Sequence, residues 1–295
     1  MRIIQILFIM TSFLHNSYAE DNEKQNLLES QQKVNQLQSM QRSSLMQEST
    51  SNYFIKFNTD LSKIKAGEEV ILSFLPKEED NENNVVELET VHEKKVHIII
   101  VSDDLQYFSH IHPDYEGNGT YSVKTNLPFG GKYELFIEYK PKGGKKITDR
   151  FNLNVEGSEK PNAIFKSERH FFEDQNLSVM LHPAEDLFSG KEIHIPVSIL
   201  KDGKELNAAN FDNYLGEKAH AVLIGIANFD FLHVHPMVMN NQLNLHMNIV
   251  NSGYYRLWLQ FQIDRILYST DFVLEAKPSN QLNEKQEPNH SQHKH

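Results

Sequence analysis

The chain has 295 residues, a net charge of −11 and no cysteine. The acidic balance argues against nucleic acid as a partner, since phosphate binding needs a basic surface. The missing cysteine excludes disulfides, thiolate nucleophiles and the blue-copper ligand set, so any metal must be held by His, Met, carboxylate or backbone groups.

Met1 to Ala19 reads as a secretory signal peptide. Arg2 gives a positive start, Ile3 to Leu14 is mostly apolar but short for a membrane span, and Ser17-Tyr18-Ala19 puts small residues before the expected cleavage. The mature protein is therefore expected in the periplasm or outside the cell. No later stretch approaches ~18 unbroken apolar residues, so no transmembrane segment is expected after cleavage. Residues 20–51 are rich in Gln, Glu, Ser and Asn, with Leu27, Val34 and Leu37 near heptad spacing. They read as a helical or disordered stalk. The sharper alternative is a short coiled coil through residues 22–48 that joins copies of the chain.

From Asn52 onward the pattern is that of short strands. The expected strands of a first domain, 52–156, are 52–57, 70–75, 85–91, 96–101, 120–124, 133–139 and 151–155. Turn signals such as Gly117-Asn118-Gly119 and Gly130-Gly131 stand between them. Residues 156–162 form a linker. A second domain, 163–276, repeats the order with strands at 177–181, 193–200, 220–226, 242–249, 254–262 and 269–274. The expected fold is all-β, as two tandem immunoglobulin-like antiparallel β-sandwich domains. Residues 277–295 form a polar tail with His290, His293 and His295, expected to be disordered.

The repeat is most visible in its histidines. His97, His110 and His112 are followed by Pro113. His220, His233 and His235 are followed by Pro236, and the offset is 123 residues at all three. In an extended strand, residues two apart face the same way. Each His-x-His pair therefore projects together, and the histidine twelve or so residues earlier returns beside it if the two strands form a hairpin. Cross-strand neighbours lie ~5 Å apart, close enough for imidazoles to share an ion. Met237, Met239 and His246 follow the second pair and would assist there, softening that site toward copper. The alternative is that the His-x-His-Pro segments are structural corners, with the imidazoles bonded to loop carbonyls.

Leu215-Gly216, His220, Phe231-Leu232-His233-Val234-His235-Pro236, Gly253-Tyr254-Tyr255 and Gln260-Phe261-Gln262 together resemble a group of exported bacterial proteins. The first domain, with Phe108, His110, His112-Pro113 and Gly131-Lys132-Tyr133, looks like the same module. The module is similar to the YtkA-like and CopC-like β-sandwiches over roughly residues 52–276. Ala219 and Asn251-Ser252 depart from the pattern without removing a candidate ligand. The resemblance implies transition-metal handling outside the cytoplasm. The expected function is non-enzymatic binding of a metal ion, copper first and zinc as alternative, for sequestration or delivery, with a protein partner in the envelope left open. Two sites are expected, His220, His233 and His235 in one and His97, His110 and His112 in the other. The competing reading is a non-catalytic interaction or adhesion module with structural histidines.

Overall fold

In the computed structural model, residues 52–279 are described, apart from 92, 161, 162, 164 and 166. The signal-peptide and stalk expectations, and the tail from residue 280, lie outside the described residues. Among the described residues, regular structure is almost entirely β. Two short 3₁₀ turns, Leu61–Lys63 and Ala208–Asn210, are the exceptions.

The first domain contributes β1 (Tyr53–Phe57), β2 (Glu69–Glu78), β3 (Val96–Ser102), β4 (Phe108–Ile111), β5 (Asp114–Gly117), β6 (Thr120–Asn126), β7 (Gly131–Tyr139) and β8 (Ile147–Val155). They form two antiparallel sheets, ordered β1-β2-β6-β5 and β4-β3-β7-β8. The second contributes β9 (Phe171–Asp174), β10 (Leu177–Leu181), β11 (Leu187–Phe188), β12 (Glu192–Lys201), β13 (Lys204–Glu205), β14 (Ala219–Gly225), β15 (Phe231–Val234), β16 (Met237–Met239), β17 (Gln242–Asn248), β18 (Gly253–Ile263) and β19 (Ile266–Lys277). Its sheets run β16-β17-β12-β10-β9 and β11-β19-β18-β14-β15, with β13 added to β12. The β14-β15-β18-β19 set repeats β3-β4-β7-β8, and β10-β12-β17-β16 repeats β1-β2-β6-β5. The chain thus folds as two tandem immunoglobulin-like antiparallel β-sandwiches. Only the two-residue β11 pairs in parallel, with β19. Each domain carries the same corner: Tyr133 Oη donates to Phe129 O and Tyr255 Oη to Asn251 O, both at 2.9 Å.

Strand alternation divides each sandwich between two cores. Ile98, Ile100, Leu135 and Ile137 pack inside the first domain, and Ala221, Leu223, Leu257 and Leu259 inside the second. The intervening residues do not meet solvent. Ile99, Val101, Leu105 and Phe136 of the first domain pack with Val222, Ile224, Phe229 and Trp258 of the second in a third core. Two aromatic stacks cross this junction. Phe108 lies on Trp258 and Phe136 on Phe231, each with ring centroids 4.6 Å apart and planes within about 15°. Arg256 donates to Leu105 O, and Arg150 Nη1 donates to Asn228 O at 3.5 Å. The junction is therefore a pseudo-twofold packing of β3-β4-β7 against β14-β15-β18. It explains why Val96–Ser102 and Ala219–Gly225 are buried with no alternation of exposure.

One expected strand does not form. Residues 85–91 make only isolated bridges, at Leu88↔Pro141 and Val91↔Lys94. Val86 and Leu88 are buried as the apolar pattern requires. The neighbouring segment carries Pro141, which has no N–H to extend a ladder.

Trp258 is the only tryptophan of the chain and sits in the interdomain core. Trp258→Ala is expected to cost about 3–5 kcal/mol in chemical denaturation, while Trp258→Phe, which keeps a ring against Phe108, costs less. Equal losses for the two would contradict the stacked junction.

Candidate metal centre

Two hairpins bring the histidines together. Ile99 pairs with His110 across β3 and β4, and Val222 pairs with His233 across β14 and β15. The turns fix this register. Leu105 N bonds Ser102 O at 2.8 Å, and Phe229 N bonds Gly225 O at 2.9 Å. A side chain at Gly225 would meet Asn228 Oδ1 at 2.0 Å and push it off Asp230 N, from which it accepts at 3.1 Å. With this register, His97, Ile99 and Val101 share the outer face of β3 with His110 on β4. His220, Val222 and Ile224 share the outer face of β14 with His233. Those two faces are the ones pressed together between the domains.

The expected two sites are therefore one cluster. The rings of His97 and His233 have centroids 5.2 Å apart, those of His110 and His233 5.1 Å, and those of His110 and His220 5.4 Å. His112 flanks His97 at 4.7 Å, and His235 flanks His220 at 4.9 Å. His97, His110, His220 and His233 are buried, and His112 and His235 are partly exposed at the rim. Donor atoms of His97, His110 and His112 lie within 4.8 Å of one another, as do those of His110, His220 and His233. His110 belongs to both groups, so the ligand sets cross the domain boundary.

Hydrogen bonds fix which nitrogen of each ring carries the proton. His97 Nε2 faces Val91 O at 3.1 Å and His220 Nε2 faces Tyr214 O at 2.8 Å. A carbonyl only accepts, so these nitrogens are N–H and each Nδ1 carries a lone pair. His110 Nδ1 donates to Gln260 Oε1 at 3.1 Å, and His233 Nδ1 donates to Glu138 Oε1 at 3.2 Å. Their Nε2 atoms therefore carry the lone pairs. His97 Nδ1 and His110 Nε2 stand 3.4 Å apart. His97 Nδ1 accepts from His112 Nε2 at 2.9 Å, which leaves His110 Nε2 facing a nitrogen that is itself an acceptor. His233 Nε2 is buried and has no hydrogen-bond partner. Two nitrogens bound ~2.0–2.1 Å from one tetrahedral ion would stand ~3.3–3.4 Å apart. The donor set and its spacing fit a transition-metal ion.

Two of the residues that orient these rings are exchanged between domains. Glu138 is the strand partner of His97 yet accepts from His233. Gln260 is the strand partner of His220 yet accepts from His110. Burial pushes the Glu138 carboxyl up, but the hydrogen bond from His233 and the ammonium of Lys146 outweigh it and hold the carboxyl at about 2. Such a carboxylate behind an imidazole fixes its tautomer and raises its basicity as a ligand. The sequence reading missed Glu138 and Gln260. Strand parity places them on the face of Phe136 and Trp258, but only the packing of the domains shows what they reach.

Met237, Met239 and His246 do not join the cluster. Met237 and Met239 are exposed on β16, in the other sheet of the second sandwich, with Val238 between them turned toward the core. His246 is exposed on β17 and stands with Glu192 and His194. The reason is topological: after Pro236 the chain crosses from one sheet to the other, so residues close in sequence to His235 face the opposite side of the sandwich.

A family model described as "Domain of unknown function (DUF8832)" matches the chain twice, over residues 48–157 and 172–278. No curated protein matches. Among solved structures, Salmonella alpha-2-macroglobulin reacted with methylamine is similar at 12% identity, with a TM-score of 0.27, over 78% of this chain and 15% of that one. The fibronectin(III)-like modules of Clostridium thermocellum CbhA are similar at 10% identity and a TM-score of 0.23, over 81% of this chain and 100% of theirs. The ICAM-5 D1-D4 ectodomain fragment is similar at 11% identity and a TM-score of 0.21, over 76% of this chain and 54% of that one. The chain spans only 15% of the length of the first of these.

Two histidines of the cluster resist protonation. Burial, reinforced by the neighbouring imidazoles, holds His110 well below the ordinary value of 6.5 and His112 at about 3. Above pH 6.5 both folded and unfolded states keep these rings neutral. Below it the unfolded chain takes up protons that the fold refuses, so stability falls as pH drops from 6.5 toward 3. Glu138 adds a loss in the same direction only below its ordinary 4.5. Metal-free protein is expected to lose about 1 kcal/mol per pH unit for each such histidine in this window, read by denaturation at pH 7, 6 and 5. His112→Asn should flatten the slope, and an unchanged slope in that variant would contradict the assignment.

Proposed function

We infer that this chain, which belongs to the family described as Domain of unknown function (DUF8832), binds a transition-metal ion between its two sandwiches and serves to sequester or deliver it. The observation that carries the reading is the inward convergence of imidazole nitrogens from both domains. His97 Nδ1, which accepts from His112 Nε2 at 2.9 Å, and His110 Nε2 stand 3.4 Å apart, and His233 Nε2 is buried without a hydrogen-bond partner. A cation satisfies all of them at once. An apolar junction would not need buried imidazoles at all, since burying a polar group without a partner costs free energy.

The structural-corner reading does not account for the buried Nε2 of His233. His97 Nδ1 accepts from His112 at the rim, while the carbonyls of Val91 and Tyr214, with Glu138 and Gln260, engage one nitrogen of each buried imidazole. That is the arrangement of ligands held by orienting groups. The donors are all nitrogen, which suits Cu(II) or Zn(II) better than Cu(I). Copper remains the first candidate and zinc the second. The buried site and the strand-borne ligands favour retention over turnover, so the role proposed is binding and not catalysis. Export to the periplasm or beyond, proposed from Met1–Ala19, would place the protein where such an ion is handled.

The test is a Cu2+ and Zn2+ titration of the chain carrying His290→Ala, His293→Ala and His295→Ala, which removes loose binding by those residues. Tight binding of one equivalent is expected at the cluster, and His110→Asn/His233→Asn should remove that equivalent. Because only the folded, docked state binds, a hundredfold excess over Kd should add about 2.7 kcal/mol and raise Tm by roughly 5–10 °C. Equal binding by parent and variant, or no binding by either, would contradict the reading.

A further inference from the structure

We propose that the outer face of the second sandwich carries a separate, solvent-open metal site, formed by Glu192, His194 and His246, for a divalent first-row transition ion. His194 on β12 and His246 on β17 are direct cross-strand partners. Their rings stack with centroids 4.3 Å apart and planes at 11°. Glu192 lies two residues before His194 and so shares its face, and its Oε1 is paired with His246 Nε2. The three donor atoms lie within 4.8 Å of one another, and all three residues are exposed.

An exposed imidazole needs no strut, because water satisfies it. The Glu192–His246 pair by itself is a surface ion pair and contributes little to stability. The three groups have in common a donor set, two imidazoles and a carboxylate, which suits Cu2+, Zn2+ or Ni2+. Two central strands of an antiparallel sheet hold both histidines, so the pair is positioned before any ion arrives and little ordering is lost on binding. An ion taking His246 Nε2 displaces the proton shared with Glu192, and the carboxylate becomes the third ligand. Three protein donors leave coordination positions for water or a second ligand, so the site exchanges its ion with solvent. It lies on the opposite side of the sandwich from the interdomain cluster and does not rest on that reading.

The experiment uses the full chain with His290→Ala, His293→Ala and His295→Ala as parent, beside the same chain with His194→Gln/His246→Gln. Each is dialysed against Cu2+, and bound copper is counted and recorded by EPR. The parent is expected to bind one equivalent more than the variant. The difference spectrum is expected to show superhyperfine splitting from two imidazole nitrogens, with the metal-free Tm unchanged. Equal copper content with coincident spectra would overturn the proposal. Failure of the interdomain cluster to bind would lower both totals together and leave the difference in place.

Discussion

A strand buried on both faces has no solvent to satisfy a polar side chain. β3 and β14 are such strands, and each begins with a histidine on its outer face. The rest of the structure follows from this constraint. The outer faces of the two inner sheets are apolar along most of their length, through Ile99, Val101, Val222 and Ile224, and the hydrophobic effect presses them together. At one end of the junction the apolar residues give way to imidazoles, and two of them take a partner from the opposite domain. Glu138 serves His233 and Gln260 serves His110, so neither domain completes the cluster alone.

The pseudo-twofold relation is close but not exact in chemistry. Glu138 is ionic and further paired with Lys146, whereas its counterpart Gln260 is neutral. The His233 side of the cluster therefore sees a negative charge that the His110 side lacks. An ion held between them would sit in an uneven field, with the stronger donor on the second-domain side. Duplication explains the shared spacing of the histidines, and this substitution separates the two halves.

Much of this was legible in the residues themselves. The 123-residue offset at three histidines exposed the repeat, the turn signals marked the sandwiches, and the period of two put His110 with His112 and His233 with His235 on common faces. The run 96–101 also read as a strand. What covers it was not legible, because docking of two domains depends on side chains far apart in sequence. For the same reason the reading placed one site in each domain, where the structure joins them. It also drew Met237, Met239 and His246 toward His235 by proximity in sequence, while the crossing after Pro236 sends them to the far sheet. The pairing of His194 with His246 needs the β12–β17 register, which no local pattern encodes.

The central claim is that one ion is held by imidazoles of both domains. It is tested most directly by anomalous diffraction from crystals of the copper- or zinc-loaded protein, recorded at the absorption edge of the metal. The account predicts a peak between the sandwiches, within ~2.0–2.1 Å of nitrogens from His110 and from His220 or His233. Anomalous density confined to the outer sheet, or none between the domains at full loading, would contradict it.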